Sequence, residues 1–211
     1  MRLSVPSGIL GVLVSFFILL SAVRIGAADL LYGHAREELA TWTPGAAGGA
    51  SLDRISRGLD LAGRLSPDDP DRYEGLARLA LTRAGQPGAS PEERAGLLRQ
   101  GLAAIREAVA LRPGSAYGWA IELLVKKELG EHDEAFRRAL RMTARLGPWE
   151  PELQRIVVDA GLEAWTDLPE AEQAVVMQVL LHGMKRQPSA MRAIAEKHAP
   201  RCGGGEGNCP R

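Results

Sequence analysis

The segment LGEHDEAFRRALRMTARLGP, residues 129–148, gives the clearest indication of how this chain folds. Gly130 lies near one end and Gly147 and Pro148 lie at the other, and these residue types terminate helices. Between them, one set of residues recurs at the spacing of a helical face: Ala135, Ala139, Met142, Thr143 and Leu146. The segment therefore predicts a helix over residues 132–146 with a turn on each side.

A second segment repeats this arrangement earlier in the chain. ALRPGSAYGWA, residues 110–120, and ARLGPWEPELQ, residues 144–154, each join the end of one helix to the start of another. Pro113 and Pro148 are 35 residues apart, and the tetratricopeptide unit, a helix–turn–helix with a terminal proline, has about 34. Residues 129–148 resemble the second half of such a unit. The match is degenerate, because Glu122 and Lys126 fall near positions that usually carry apolar or aromatic residues.

Helical patterns continue on both sides of these segments. Capping residues and apolar spacing predict helices over residues 51–65, 71–85, 91–111, 116–129, 132–146, 151–165, 169–187 and 189–198. Ser90, Pro91 and Glu93 form a capping-box start for the third of these. We therefore predict an all-α fold, a degenerate tetratricopeptide-like array of helical hairpins behind an N-terminal transmembrane helix. Such arrays have a concave face that binds partners.

The N-terminal region predicts a membrane anchor. Leu3 to Val23 contains no charged residue, and about 20 apolar residues span a bilayer as a helix. A cleaved signal peptide is the alternative, because Gly26 and Ala28 have the spacing of a cleavage site. Arg24 between the apolar run and that site favours the anchor. We expect a single-pass protein of the inner membrane, with its helical domain in the periplasm.

The predicted domains follow from these features. They are an anchor or signal segment at 1–28, a juxtamembrane segment and linker at 29–50, a helical-repeat domain at 51–200 and a flexible tail at 201–211. The tail contains the two cysteines of the chain, Cys202 and Cys209. In an oxidising periplasm they would close a small disulfide loop, and free thiols on the tail are the alternative.

A structural role is predicted for the residues of the helix junctions: Pro113, Gly147, Pro148, Trp149 and Pro151. Pro151 suits the first position of a helix, which tolerates the missing N–H. Trp149 precedes that helix, where we expect it to pack back as a hydrophobic staple. The alternative for Trp149 is to stack on a ligand.

Catalytic motifs are absent from the sequence. The four histidines are scattered, no HExxH or G-x-S-x-G occurs, and no glycine-rich loop follows a predicted strand. Lys and Arg total 26, as do Asp and Glu, so the net charge does not favour nucleic acid. We therefore predict no catalytic residue, no metal and no cofactor.

Two surfaces are candidates for binding. Tyr117, Lys126 and Lys127 are expected on the concave face, as contacts for a partner protein. A basic helix face is formed by Arg137, Arg138, Arg141 and Arg145, which could meet acidic glycan, anionic lipid or an acidic partner. A solvated charged face is the simpler interpretation of these arginines.

The order of several segments resembles the VpsP-type family of tetratricopeptide-like membrane proteins. The matching pieces are Arg112–Ala120, Leu129–Leu140, Leu146–Gln154, Asp159–Trp165 and Arg186–Cys202. The resemblance implies a role in exopolysaccharide biosynthesis or export, among other membrane or periplasmic proteins. The leading hypothesis is thus an anchored scaffold that acts through protein–protein contacts. Direct binding of acidic glycan by the basic face is the alternative, and a glycan-processing enzyme is a third.

Overall fold

The computed structural model describes residues 7–41 and 49–202, and all regular structure in these residues is helical. The α-helices are α1 (Ser7–Thr41), α2 (Gly49–Leu65), α3 (Pro70–Ala84), α4 (Pro91–Leu111), α5 (Ala116–Leu129), α6 (Glu134–Leu146), α7 (Pro151–Glu163), α8 (Glu170–Arg186) and α9 (Pro188–Cys202). A short 3-10 helix, Trp165–Asp167, joins α7 to α8. The predicted all-α class is confirmed.

Local capping sets the helix ends close to the predicted positions. The Ser90 hydroxyl accepts from the Glu93 amide at 3.1 Å, and the Glu93 carboxylate accepts from the Ser90 amide at 3.0 Å. This capping box satisfies backbone donors at the start of α4. Gly130 ends α5 with φ near 70°, a backbone conformation that residues other than glycine rarely adopt. Asp133 caps α6 through the Phe136 amide at 3.0 Å.

The helices stack as antiparallel pairs. α1 packs on α2, α3 on α4, α5 on α6 and α7 on α8, and α9 closes the array against α7 and α8. Each odd-numbered helix also contacts the next one, so that α1, α3, α5, α7 and α9 form a continuous row. We call this the odd-helix row. Closer contact along one row than along the other curves such an array around that row.

A single large core joins α3 to α9. Its most buried side chains include Leu98, Ile105 and Leu123, together with Phe136 and Leu140 from α6. The buried face of α6 differs from the predicted one. Of the five predicted residues, Ala139 and Thr143 are buried and the rest are half-buried, because α6 contacts α5, α7 and α8 and buries a wider arc.

The first helix is continuous from the apolar segment into the array. Ala28, Tyr32 and Ala35 are buried in a second cluster with the apolar side chains of α2. The array therefore includes this part of α1, upstream of the predicted domain start at residue 51. The N-terminal half of α1 is exposed, and its mean hydropathy reaches 2.2, so the helix is long and apolar enough to cross a membrane. Residues 42–48 of the predicted juxtamembrane segment and linker lie outside the described residues.

Candidate functional site

Lys126, which the sequence places on the binding surface, is buried at the end of α5. Its side chain is 1% exposed, and its Nζ donates to Glu131 Oε2 at 2.6 Å and Asp133 Oδ2 at 2.8 Å. Burial opposes the charge of Lys126, but the hydrogen bonds to Asp133 and Glu131 outweigh it and raise its pKa. Lys126 thus stabilises the turn between α5 and α6, and almost none of its side chain is accessible to a partner.

Glu122, one turn earlier on α5, is also buried. Its Oε1 lies 3.6 Å from Nε of Arg106 on α4. Burial raises the pKa of Glu122, and the nearby Arg106 only partly offsets this effect. The two charged residues at normally apolar positions of the repeat are therefore both buried and both paired within the array.

Lys127 lies at the centre of an ion-pair cluster on the odd-helix row. Its Nζ donates to Asp159 and lies 3.4 Å from Glu163, both on α7. Asp159 also accepts from Lys197 at 2.7 Å and is 2.9 Å from Nε2 of His198, both on α9. Burial opposes ionisation of Asp159, but the hydrogen bonds from Lys127, Lys197 and His198 hold its pKa well below its usual range. The cluster joins α5, α7 and α9.

The same cluster contains a set of metal-ligand types. Ligand atoms of Asp159, Glu163 and His198 lie within 4.8 Å of one another. However, the Lys127 ammonium contacts both carboxylates, and Lys197 contacts Asp159 as well. A metal ion would have to displace these cations, so this donor set favours a protein ion-pair cluster over a metal site.

Tyr117 lies near the start of α5, at the opposite end of this helix from Lys127. It is half-buried, and its pKa is raised, first by burial and then by the negative charges of Glu150 and Glu152. Arg36 of α1 and Arg78 of α3 are close enough to lower that pKa in part. Tyr117 therefore lies among charges of both signs that come from α1, α3, α7 and the turn before α7.

A cavity next to Tyr117 opens between α1 and α3. Its volume is about 230 Å³, and it is lined by Asp29, Tyr32, Gly33, Arg36, Asp71, Glu74, Gly75 and Arg78. Arg36 and Arg78 belong to both the cavity and the surroundings of Tyr117. Within the described parts of the chain, neither guanidinium forms a salt bridge. We call Arg36, Arg78 and Tyr117 the groove residues.

The four arginines of α6 are only partly available as a basic surface. Arg137 and Arg141 pair with Glu134 at 2.9 and 2.7 Å, and Arg141 also pairs with Glu172 of α8. Arg138 lies over the ring of Trp119, 5.1 Å from its centre, and Arg145 donates to the Met142 sulfur at 3.2 Å. Because two of the four charges are compensated within the array, the face is less basic than the sequence suggests.

Each of the two repeat junctions contains an equivalent side-chain hydrogen bond. Nε1 of Trp119 donates to the Pro113 carbonyl at 2.9 Å, and Nε2 of Gln154 donates to the Pro148 carbonyl at 2.7 Å. Both pairs are six residues apart, and the second lies 35 residues after the first. An indole and an amide thus hold equivalent turns. The only sequence signal for Gln154 is its place in the second copy of the junction.

Trp149 does not pack as predicted. Pro151 begins α7 as expected, but the Trp149 side chain is 67% exposed and does not form a buried staple. Its ring centre lies 6.1 Å from that of His182 on α8. Its carbonyl accepts from Arg186 at 2.8 Å, which fixes the turn without burying the indole.

Most of the predicted tail lies outside the described residues. Cys209 lies outside the described residues, and Cys202 is the last residue of α9, with its side chain also outside the description. The predicted disulfide therefore stays a prediction.

Comparison with known proteins identifies the fold. No family model matches the chain, and no curated protein matches it. Among solved structures, it is similar to the crystal structure of a thermophilic TPR protein from Thermus thermophilus, with a TM-score of 0.61 and 18% identity. The match covers 82% of this chain and 80% of the other. The chain therefore has a tetratricopeptide-like fold.

Proposed function

We propose that this chain is a membrane-anchored scaffold that binds partner proteins on the odd-helix row. The groove residues carry this proposal. They combine an aromatic ring with two guanidinium groups beside an open cavity, while Lys126 and Lys127 on the same helix are taken up by internal ion pairs. Asp71 and Glu74 in the same lining already accept from Arg112 and Ser115, which leaves Arg36 and Arg78 for carboxylates of a peptide segment and the Tyr117 ring for an apolar side chain.

The path of α1 supports an anchor that stays in the mature protein. From Ser7 to Arg24 the helix extends roughly 25 Å, which is most of the ~30 Å of a bilayer core. Arg24 donates to the Leu65 carbonyl at 3.0 Å, and Ala28 is buried against α2. The cleavage site considered above thus lies inside a packed helix. Cleavage there would remove the bond from Arg24 to the end of α2.

The polysaccharide role comes from the VpsP-type resemblance. It implies a role for the scaffold in exopolysaccharide biosynthesis or export, and the periplasmic location that we propose for the helical domain comes from the charges that flank the apolar segment. The ion pairs of Arg137 and Arg141 with Glu134 favour protein contacts over the alternative, direct binding of acidic glycan by α6.

Charge reversal tests the groove. A strain lacking this chain is complemented with the native protein, with Arg36→Glu/Arg78→Glu, or with the control Arg57→Glu/Arg99→Glu, whose exposed arginines lie on α2 and α4. We expect the native and control proteins to restore secreted polysaccharide and the groove variant to fail at equal membrane abundance. Restoration by the groove variant would contradict the proposed surface.

Crosslinking separates the scaffold from the polysaccharide role. A photo-crosslinking residue at position 117 of the full chain should form a discrete adduct with a membrane or periplasmic protein, and one at position 99 should not. If the deletion strain makes normal polysaccharide while the adduct at 117 persists, the polysaccharide assignment fails and the scaffold stands. If no adduct forms at 117, the scaffold proposal fails.

A further inference from the structure

The turns that follow the even-numbered helices lie together along one edge of the array. Arg112, after α4, pairs with Asp71 at the start of α3 at 2.6 Å. Gly147, after α6, lies so close to Ala116 that an added Cβ would be 3.3 Å from the Ala116 Cβ. Arg186, at the end of α8, donates to the Trp149 carbonyl at 2.8 Å. These contacts connect successive turns, and we call the edge that they form the proximal edge.

The apolar segment of α1 leaves the array at this edge. Arg24 bonds to the carbonyl of Leu65, the last residue of α2, and Tyr32 donates to the Ser66 carbonyl at 3.4 Å. Residues 10–20 extend beyond this level and are exposed. If that segment spans a bilayer, Arg24 lies at its surface, and the end of α2 lies within the headgroup layer, which is ~5–8 Å deep on each side.

Exposed apolar side chains are concentrated at the same edge. Outside α1, the large hydrophobic residues that are exposed in the described chain are Leu61 (50%), Leu111 (47%), Trp149 (67%) and Leu181 (59%). Leu111 is the last residue of α4, Trp149 lies in the turn after α6, and Leu61 and Leu181 lie within about 8 Å of the ends of α2 and α8 at 1.5 Å per residue. None of the four lies at the opposite edge.

We propose that the proximal edge lies on the bilayer surface, with Leu61, Leu111, Trp149 and Leu181 inserted at headgroup level. This inference rests on the proposed anchor and extends it from a single helix to the whole edge of the array. Tryptophan is favoured at this depth because its ring is apolar and its N–H can reach water or lipid oxygen. Lys185 and Arg186 lie at the same edge and can meet lipid phosphate.

Docking on this edge would fix the orientation of the array. All helices would stand roughly along the membrane normal, and the groove residues would face sideways along the membrane. A partner that is itself in the membrane, or lies close to it, would then reach the groove. A freely tethered domain would present the groove in every direction.

Spin labels on the full chain test this docking. Cys202 and Cys209 are replaced by serine, and single cysteines are introduced as Phe16→Cys in the apolar segment, Gly114→Cys at the proximal edge and Pro87→Cys at the opposite edge. The protein is reconstituted in vesicles of phosphatidylethanolamine and phosphatidylglycerol. Power saturation then compares the accessibility of each label to oxygen, which partitions into lipid, and to a water-soluble nickel complex.

We expect the oxygen-to-nickel ratio at position 114 to be several-fold higher than at position 87. The triple change Leu111→Ser, Trp149→Ser and Leu181→Ser should lower the ratio at 114 to that at 87, with helicity unchanged because all three side chains are exposed. Equal ratios at 114 and 87, with position 16 in lipid, would overturn the docking alone. A water-exposed label at position 16 would overturn the anchor as well.

Discussion

Lys127 on α5 and Asp159 on α7 form an ion pair that connects two adjacent helices of the odd-helix row. The second carboxylate oxygen of Asp159 contacts Lys197 and His198 of α9, so one carboxylate joins three helices. The groove and the closing helix of the array both depend on how these helices are spaced. The carboxylate is therefore the first place to test the packing of the row.

Asp159→Asn is expected to destabilise the array. The amide cannot hold three donors, and Lys127, which is largely buried, would keep its charge with a weaker partner. The expected loss is about 2 kcal/mol in the free energy of unfolding, less than for a fully buried pair because Asp159 is partly exposed. Urea unfolding in detergent micelles, followed by circular dichroism, measures it.

Glu196→Gln is the matched control for that change. Glu196 is an exposed carboxylate on α9, and its loss should change stability by less than about 0.5 kcal/mol. If Asp159→Asn and Glu196→Gln unfold at the same urea concentration as the native chain, the cluster does not stabilise the array.

The contribution of Asp159 should disappear in acid. Its pKa in the folded chain lies below the usual value of 3.8, because the hydrogen bonds from Lys127, Lys197 and His198 outweigh burial. A lowered pKa of an acid adds stability above the unfolded value, and this is lost as pH falls through the folded value. The stability difference between native and Asp159→Asn proteins should thus be full at about pH 5 and shrink below about pH 4. A difference that stays constant to about pH 3 would contradict the assignment.

Glu122 should behave in the opposite way. Burial raises its pKa above the usual 4.5, so its negative charge is harder to form in the folded chain than in the unfolded one and lowers stability at neutral pH. Glu122→Gln should therefore raise the urea midpoint at pH 7, with a gain of less than about 1 kcal/mol in the free energy of unfolding. The gain should vanish in acid, where the native carboxyl is protonated. Glu107→Gln, an exposed change on α4, is the control, and a lower midpoint for Glu122→Gln would refute the prediction.

The mature protein should retain its N-terminal helix. Arg24 and Ala28 are part of the packed junction between α1 and α2, which a signal peptidase would have to open. Intact mass spectrometry of the protein from membranes should show residues 1–28 present. Gly26→Leu, at an exposed position with open space around it, disrupts the small-residue spacing and should leave the mature mass otherwise unchanged. A native chain that begins near residue 29 would show that the segment is cleaved.

Helix ends could be predicted because they depend on neighbouring residues. The capping box of Ser90 and the prolines that begin α4 and α7 act within one turn, and the predicted start and end of α4 are those observed. The TPR-like repeat followed from the spacing of Pro113 and Pro148. These signals need no knowledge of what lies across the array.

The partners of charged side chains could not be predicted in this way. Lys127 and Asp159 are 32 residues apart, and Arg141 and Glu172 are 31 apart, so these pairs exist only once the hairpins have stacked. Lys126 differs, because its partners Glu131 and Asp133 are near it in the sequence, but its burial depends on how the helices pack. Trp149 shows the same difficulty: its position before α7 was clear, but local sequence does not determine whether its ring turns toward the core or the edge.

Gly147→Ala should destabilise the junction between α6 and α7. A Cβ at this position would lie 2.3 Å from Cδ1 of Leu153, which is fully buried, and 3.3 Å from the Cβ of Ala116. The buried Leu153 side chain would have to change its rotamer inside the packed junction, so we expect a loss of about 2 kcal/mol in unfolding free energy. Gly114→Ala is the control, because a Cβ there meets nothing within 4 Å. Urea unfolding of both variants should separate them, and equal stability would mean that the turn relaxes and that the close approach at Gly147 does not hold the two hairpins in register.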